Sequence, residues 1–168
     1  VLINTGTIIK SKTITFANAS SELNTTGDAA LTGDLIAGAD GAGVLDVDND
    51  LVITGSVGQS TSLDFLTATV ASDKVIQVSG VNYHVVTTSL NDATSEINFN
   101  GAAKTTVSGI IEGDSAGVGI IDMDTDVDFV GVIGTDGMAN IEIAADKTAT
   151  FQGATVASTS ITLQGDND

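Results

Sequence analysis

The sequence contains no cysteine, no proline and no tryptophan, and aromatic residues make up only 4% of its 168 positions. Without cysteine the chain has no disulfide, no zinc–thiolate site and no thiol nucleophile, which is compatible with an exported bacterial protein that needs no oxidative folding. With so few rings, the core must consist of Val, Ile, Leu and Ala. Such a composition favours long stacks of short β-strands over a core built on aromatic anchors.

Positive charge is also scarce. Five lysines and no arginine stand against 22 acidic residues, which gives a formal net charge of −17. Because phosphate recognition depends on basic clusters, this balance excludes nucleic acid and an anionic membrane surface as partners. Two interpretations of the acidic surface remain: a solvated, self-repelling surface that keeps an extended protein soluble, or a surface that collects divalent cations.

No apolar run reaches the roughly eighteen residues that a membrane-spanning helix needs, so we expect no direct membrane insertion. The N-terminus does not resemble a signal peptide. Because Val1 begins in mid-repeat, we expect any export signal to lie on a longer precursor.

The chain repeats itself about every 74 residues. The run 43–58, GVLDVDNDLVITGSVG, returns as 119–134, GIIDMDTDVDFVGVIG, with six identical positions. A third register covers both termini, where 13–16, 87–90 and 160–163 are equivalent. We therefore predict one continuous array, with a partial unit at 1–16, units at 17–90 and 91–163, and the start of another unit at 164–168. Self-similarity of this kind is typical of modular arrays.

Apolar and polar residues alternate in many short stretches, which predicts half-buried strands separated by Gly-containing turns. The predicted strands include 2–5, 12–16, 74–78, 96–99, 140–143 and 160–163. Two all-β architectures fit this pattern. One is a parallel β-solenoid with coils of roughly 18 to 25 residues, three or four to a unit. The alternative is a string of small antiparallel β-sandwiches, one to a unit.

Three observations favour the repetitive, parallel β-helix-like solenoid. The termini are out of phase with the unit, which would cut a closed sandwich through its core. No linker-like segment separates the units, and the single Tyr83 cannot supply the core anchors of a sandwich. The copies also differ by small insertions such as the one at 60–65, which a coil can expel as a loop.

Two motifs carry a family resemblance: GVLDVDNDLVITGSVG at 43–58 and DKTATFQGATVASTSITL at 146–163. They resemble the β-strand repeats of large bacterial surface proteins, in particular the passenger regions of rickettsial autotransporter outer-membrane proteins and S-layer-like repeat proteins. The resemblance implies export, display outside the cell, and a structural or adhesive role without catalysis.

Two acidic ladders are the strongest candidates for binding chemistry. Placed on strands, their carboxylates would form rows about 7 Å apart on one face, with Val47 or Met123 facing inward. Calcium needs six to eight oxygens, so a neighbouring turn, coil or molecule would have to complete a site. The alternative is a solvated outer face that discourages aggregation. The ladders consist of Asp46, Asp48 and Asp50, and of Asp122, Asp124, Asp126 and Asp128.

The other candidates have simpler explanations. The aspartates beside Gly or Ala in turns are expected to cap those turns. The glycines of 38–43 have no following Lys or helix, which excludes a phosphate loop. His84 is the sole histidine and has no equivalent in the other copies, so we expect incidental surface and no catalytic triad. The turn aspartates are Asp28, Asp34, Asp40 and Asp114.

The sequence therefore predicts a structural repeat segment of a secreted bacterial cell-surface protein, serving as scaffold in a surface layer, filament, sheath or adhesin stalk. We expect self-association through exposed strand edges, with a host or neighbouring-cell surface as a further partner. One alternative is an extracellular module whose Asp ladders bind calcium and so rigidify or cross-link the array. A remote alternative is a polysaccharide-degrading β-helix enzyme, which would need paired carboxylates and aromatic sugar platforms.

Overall fold

The computed structural model describes residues 1–59, 65–153 and 155–165, and these residues form sixteen β-strands and no helix. Consequently no helix in these ranges is long and apolar enough to cross a membrane. The insertion expected to loop out at 60–65 lies almost wholly outside the described residues. The strands are β1 Leu2–Thr5, β2 Ile8–Phe16, β3 Glu22–Gly27, β4 Ala29–Ala37, β5 Val44–Val47, β6 Leu51–Ile53, β7 Phe65–Val70, β8 Val75–Val78, β9 Asn82–Leu90, β10 Glu96–Phe99, β11 Thr105–Gly113, β12 Ile120–Met123, β13 Val127–Phe129, β14 Val132–Ile143, β15 Ala149–Phe151 and β16 Val156–Leu163.

Every pairing between these strands is parallel, and each joins residues 20 to 25 positions apart. Leu23, for example, pairs with Leu45, and Leu51 pairs with Ile76. A chain that returns to lie beside itself in parallel after each such interval is a β-solenoid, here of about seven coils. The predicted solenoid and its coil length are therefore confirmed, and the antiparallel sandwiches are wrong.

The pairings fall into three columns, and each coil passes through all three. Column A begins with β1, β3, β5 and β7. Column B contains β6, β8, β10 and β12. Column C contains β13, β15 and the first half of β11. The longer strands bend at a corner and serve two columns: β2 pairs with β4 on both sides of a register shift between Lys10 and Thr13.

The core is a set of aliphatic stacks along the solenoid axis. In column B, Leu51, Ile76, Ile97, Ile121 and Ile141 pair one above the other, and all are buried. The β-branched side chains of the four isoleucines pack well on a pleated surface, which explains why the strand positions of this chain are rich in Ile and Val. Each Ile therefore packs within the coil and against its neighbours in the stack.

A row of rings adds to the aliphatic core. Tyr83 and Phe99 have ring centroids 5.6 Å apart, Phe99 and Phe129 6.2 Å, and Phe129 and Phe151 5.4 Å. The first two contacts are edge-to-face, an arrangement that contributes beyond area burial alone. The buried Tyr83 hydroxyl lies 2.8 Å from the Thr88 hydroxyl, and burial raises the pKa of the phenol above its ordinary value. Few as they are, the rings link columns B and C.

Glycines occupy positions where the coils stack closely at two corners. A Cβ atom at Gly55 would overlap the carbonyl oxygen of Gly33, and one at Gly80 would overlap that of Gly55. Gly109, Gly131 and Gly153 form an equivalent stack at another corner, with the same overlap. No side chain fits there, because only backbone atoms separate one coil from the next.

Candidate functional site

The two acidic ladders do not form straight rows. Strand β5 ends at Val47, so Asp46 lies on the strand while Asp48 and Asp50 lie in the corner that leads to β6. In the second ladder Asp122 lies on β12, the next two aspartates lie in a corner, and Asp128 lies on β13. The side chains of Val47 and Met123 are buried as predicted. Because each ladder passes through a corner, its carboxylates are divided between two neighbouring columns of the solenoid.

An asparagine from the preceding coil holds each ladder. Asn24 donates from Nδ2 to Asp46 Oδ2 at 2.8 Å and to Asp48 Oδ2 at 3.2 Å. Asn24 is paired with Asp46 across the coils, so the bond to Asp46 follows from the strand register. Bonds to ionised acceptors are stronger than neutral ones. The amide thus ties two like charges together.

The second unit repeats this clamp in a more buried setting. Asn98 donates from Nδ2 to Asp122 Oδ2 at 2.6 Å and to Asp124 Oδ2 at 3.1 Å, and its side chain is only 5% exposed. The Oδ1 atoms of Asn98 and Asp122 are buried and have no hydrogen-bond partner among the described residues. Asn24 and Asn98 recur in the sequence, but nothing local in the sequence marks them as partners of the aspartates.

Replacing Asn98 by Asp should destabilise the protein strongly at neutral pH. The carboxylate introduced at position 98 cannot donate the two hydrogen bonds of the Asn98 amide, and it adds a third negative charge beside Asp122 and Asp124. We expect a cost of about 3 kcal/mol in the free energy of unfolding. Because burial and like charge raise the pKa of the new group, the deficit should shrink as the pH falls and the carboxylate is protonated. Urea unfolding at about pH 7 and about pH 4 measures both effects. Asn24→Asp, in the more exposed clamp, is the matched control and should cost less; equal costs at both sites would contradict this explanation.

The remaining ladder aspartates bind neighbouring coils. Asp50 Oδ1 accepts the Val75 N–H at 3.0 Å, and Asp126 Oδ1 accepts the Thr148 N–H at 2.8 Å. Asp128 forms a salt bridge of 2.6 Å with Lys104, which holds the pKa of that carboxyl below its usual range. These contacts give most of the predicted metal ligands a structural role between coils.

The carboxylates around the second clamp repel one another. Burial raises the pKa of Glu96, and the charges of four neighbouring carboxylates raise it further. Burial likewise raises the pKa of Asp122, against the opposing effect of the Asn98 amide. Negative charge is therefore least favourable on this part of the surface. The four neighbours are Asp122, Glu142, Asp124 and Asp50.

Replacing Glu96 by Gln should raise the melting temperature at about pH 7 and have little effect below about pH 4. A carboxyl whose pKa is raised by folding stabilises the fold while protonated, and this contribution is lost as the pH rises through the folded-state pKa. Gln mimics the protonated acid at every pH. Melting of both proteins by circular dichroism across this range tests the sign, and a pH-independent difference would refute it.

Metal binding at the ladders stays a prediction. In the described part of the chain, no group of three or more His, Cys, Asp or Glu side chains could hold a metal ion. A calcium ion bound there would need further oxygens from another molecule. If calcium binds, the melting temperature should rise with calcium concentration, because the free energy of unfolding increases by about 1.4 kcal/mol at ten times Kd. A melt unchanged by millimolar calcium would exclude it.

Two expectations about isolated residues need correction. His84 was expected at the surface, but it is only 9% exposed, and its Nδ1 lies 2.8 Å from Ser108 Oγ of the next coil. Asp34 was expected to cap its own turn, but its Oδ1 accepts the Ser56 N–H of the next coil at 2.9 Å. In both cases parallel stacking brings a partner from more than twenty residues away.

Two further residues, which the sequence did not single out, cap turns with their side chains. Asp92 Oδ1 accepts the N–H groups of Thr94 at 2.9 Å and Ser95 at 2.8 Å, and the Thr94 backbone bond is the main cause that lowers the pKa of Asp92. The equivalent Asn18 Oδ1 accepts the Ser20 N–H at 3.0 Å. The signal was present, since Asn or Asp two residues before Ser or Thr is typical of such turns.

Comparison with known proteins adds one relative. Over 164 residues the chain is 32% identical to outer membrane protein A of Rickettsia rickettsii. The chain is similar to a rickettsial surface protein. The similarity covers 94% of this chain, which spans about 7% of the length of that relative. No protein-family model matches the chain. No solved structure matches it either. The match supports the resemblance to rickettsial outer-membrane proteins that the motifs indicate.

Proposed function

We propose that this chain is a structural segment of a bacterial cell-surface protein, in which stacked coils form an extended scaffold that associates end to end. The observation that carries the proposal is the parallel stacking of coils, which runs through the described residues and leaves an unpaired edge on the outermost strands. Among the described strands, β1 and β2 pair on one side only, and so do β15 and β16 at the other end. Unpaired strand edges are templates for pairing with another chain.

The inward-facing side chains at these ends support the same proposal. Leu2 stacks on the buried Leu23 and yet is 47% exposed. At the opposite end Ile161 is 53% exposed and Leu163 73% exposed, although Ile161 stacks on the fully buried Ile141. Within the described residues, these side chains are the outermost members of core stacks. Because these side chains are already partly buried, covering each one would contribute about 1–2 kcal/mol.

The wider setting of the proposal is extracellular. The relative in Rickettsia rickettsii is named as an outer membrane protein, and a solenoid whose backbone bonds are satisfied between coils can extend without a separate core for each unit. The segment would act as scaffold or stalk in a surface layer, filament, sheath or adhesin. Other copies of the segment, and a host or neighbouring-cell surface, are the partners this role requires.

Sedimentation equilibrium over a wide concentration range tests the association. We expect the average mass of the purified chain to rise with concentration, and Leu163→Asp to weaken association about tenfold or more, because it places a charge on the open end. Val130→Asp is the matched control, since Val130 is 50% exposed away from the ends. Strictly monomeric protein at high concentration, or equal effects of both variants, would refute end-to-end association.

A further inference from the structure

Equivalent residues of the repeat lie in different columns of the solenoid. Ile14, Thr88 and Ile161 occupy the same place in three successive copies. Ile14 pairs with Leu35 in column C, Thr88 pairs with Ala68 in column A, and Ile161 pairs with Ile141 in column B. One copy of the repeat therefore does not correspond to a whole number of coils. One copy spans three complete coils and then one additional column of the next coil.

The surface features of the unit move in the same way. The first clamp lies in column A, where Asn24 pairs with Asp46, and the second lies in column B, where Asn98 pairs with Asp122. The glycine stack that begins at Gly33 lies at the corner between columns B and C, and its equivalent that begins at Gly109 lies at the corner between columns C and A. Two kinds of feature thus advance in the same direction.

We infer that the repeat carries its surface features around the solenoid as a screw, one column for each unit, so that the same features face the same side only at every third unit. Three units contain about 222 residues and ten coils, which at about 4.8 Å per coil span roughly 48 Å of the axis. This inference goes beyond the proposed scaffold, because it states how a scaffold of such units presents its surface.

The consequence concerns the kind of partner that the surface fits. A solenoid whose unit equals a whole number of coils presents its repeated surface as one stripe, which a flat partner can bind along its length. Here each unit presents the surface to a different side. A flat partner therefore cannot bind equivalent features of consecutive units along one side of the solenoid.

Two pairs of spin labels test the screw, and the absence of cysteine makes the labelling selective. Asp48→Cys with Asp124→Cys labels equivalent places in the two units. Thr54→Cys with Asp124→Cys labels one corner three coils apart. Each of these residues directly follows a member of the stack Ile53, Val78, Phe99 and Met123, which pair in successive coils. All three labelled residues are exposed. We expect the Thr54 pair to be about 15 Å apart, and the Asp48 pair to be clearly further apart.

The order of the two distances decides the outcome. Strong dipolar broadening for the Thr54 pair, with a longer distance for the Asp48 pair by pulsed electron resonance, supports the screw. The reverse order would overturn it. Ser72→Cys with Ala145→Cys is a second equivalent pair that leaves both clamps intact, and it should also exceed the Thr54 pair. Circular dichroism of every variant establishes that the solenoid is folded.

Discussion

Gly131→Ala is expected to destabilise the solenoid by about 3 kcal/mol or more, although it adds a single methyl group. The new Cβ would overlap the carbonyl oxygen of Gly109 in the coil beneath. Because that atom belongs to the backbone, relief requires the two coils to separate, which weakens the parallel pairing between β11 and β14. Urea unfolding followed by circular dichroism measures the loss.

Gly165→Ala is the control for this experiment. A Cβ at Gly165 meets nothing within 4 Å, so the same substitution should leave stability within about 0.5 kcal/mol of the parent. If Gly131→Ala were as well tolerated as Gly165→Ala, close backbone stacking at this corner would be refuted. Gly153→Ala should also lower the free energy of unfolding, because its Cβ would overlap the Gly131 carbonyl oxygen in the same stack.

Phe99→Ala is expected to cost about 3–5 kcal/mol. Phe99 is fully buried and lies between Tyr83 and Phe129, with centroid distances of 5.6 and 6.2 Å. Removing the ring leaves a cavity that the rigid stacked coils cannot close, and it removes two edge-to-face contacts. Equilibrium unfolding in urea gives the free energy directly.

Two further variants test how much the row of rings contributes to stability. Phe151 is only partly buried at the end of the row, so Phe151→Ala should cost clearly less than Phe99→Ala. Phe99→Leu should recover part of the loss, because it refills some of the cavity without restoring the ring contacts. Equal losses for Phe99→Ala and Phe151→Ala would indicate that the row does not contribute as described.

The strands and the coil length could be predicted from the sequence because both depend on local patterns. Alternation in 96–99 places Ile97 and Phe99 on the inner face, and both are buried. Period two shows which face is apolar, and glycines such as Gly80 and Gly101 follow the ends of β8 and β10. The parallel arrangement followed from the open-ended repeat and the lack of linkers. These inferences needed no knowledge of which residue lies in the next coil.

The corners could not be predicted in the same way. The aspartates at 46, 48 and 50 keep a spacing of two, and so a single straight strand was expected. The structure places a corner within this run, between β5 and β6, with Val47 and Leu51 both buried. Because the corner keeps Val47 and Leu51 on the inner side, as a strand would, the spacing of the apolar residues does not distinguish the two.

The partners of the aspartates were missed for a different reason. Asn98 contacts Asp122 and Asp124 across 24 and 26 residues. Such contacts depend on the stacking register, which varies between 20 and 25 residues from one coil to the next. A single sequence gives the mean interval but not the individual ones.

The direction of the backbone hydrogen bonds determines how this protein responds to force. They connect one coil to the next, as Ser79 N–H does to the Ile53 carbonyl at 2.9 Å, so they lie along the axis. Tension between the two ends therefore opens the bonds of a terminal coil before those of the interior. A coil of about 22 residues contributes about 4.8 Å to the length while it is stacked and roughly 75 Å once it is detached and extended. A stalk of such coils would therefore lengthen in steps under tension and dissipate load.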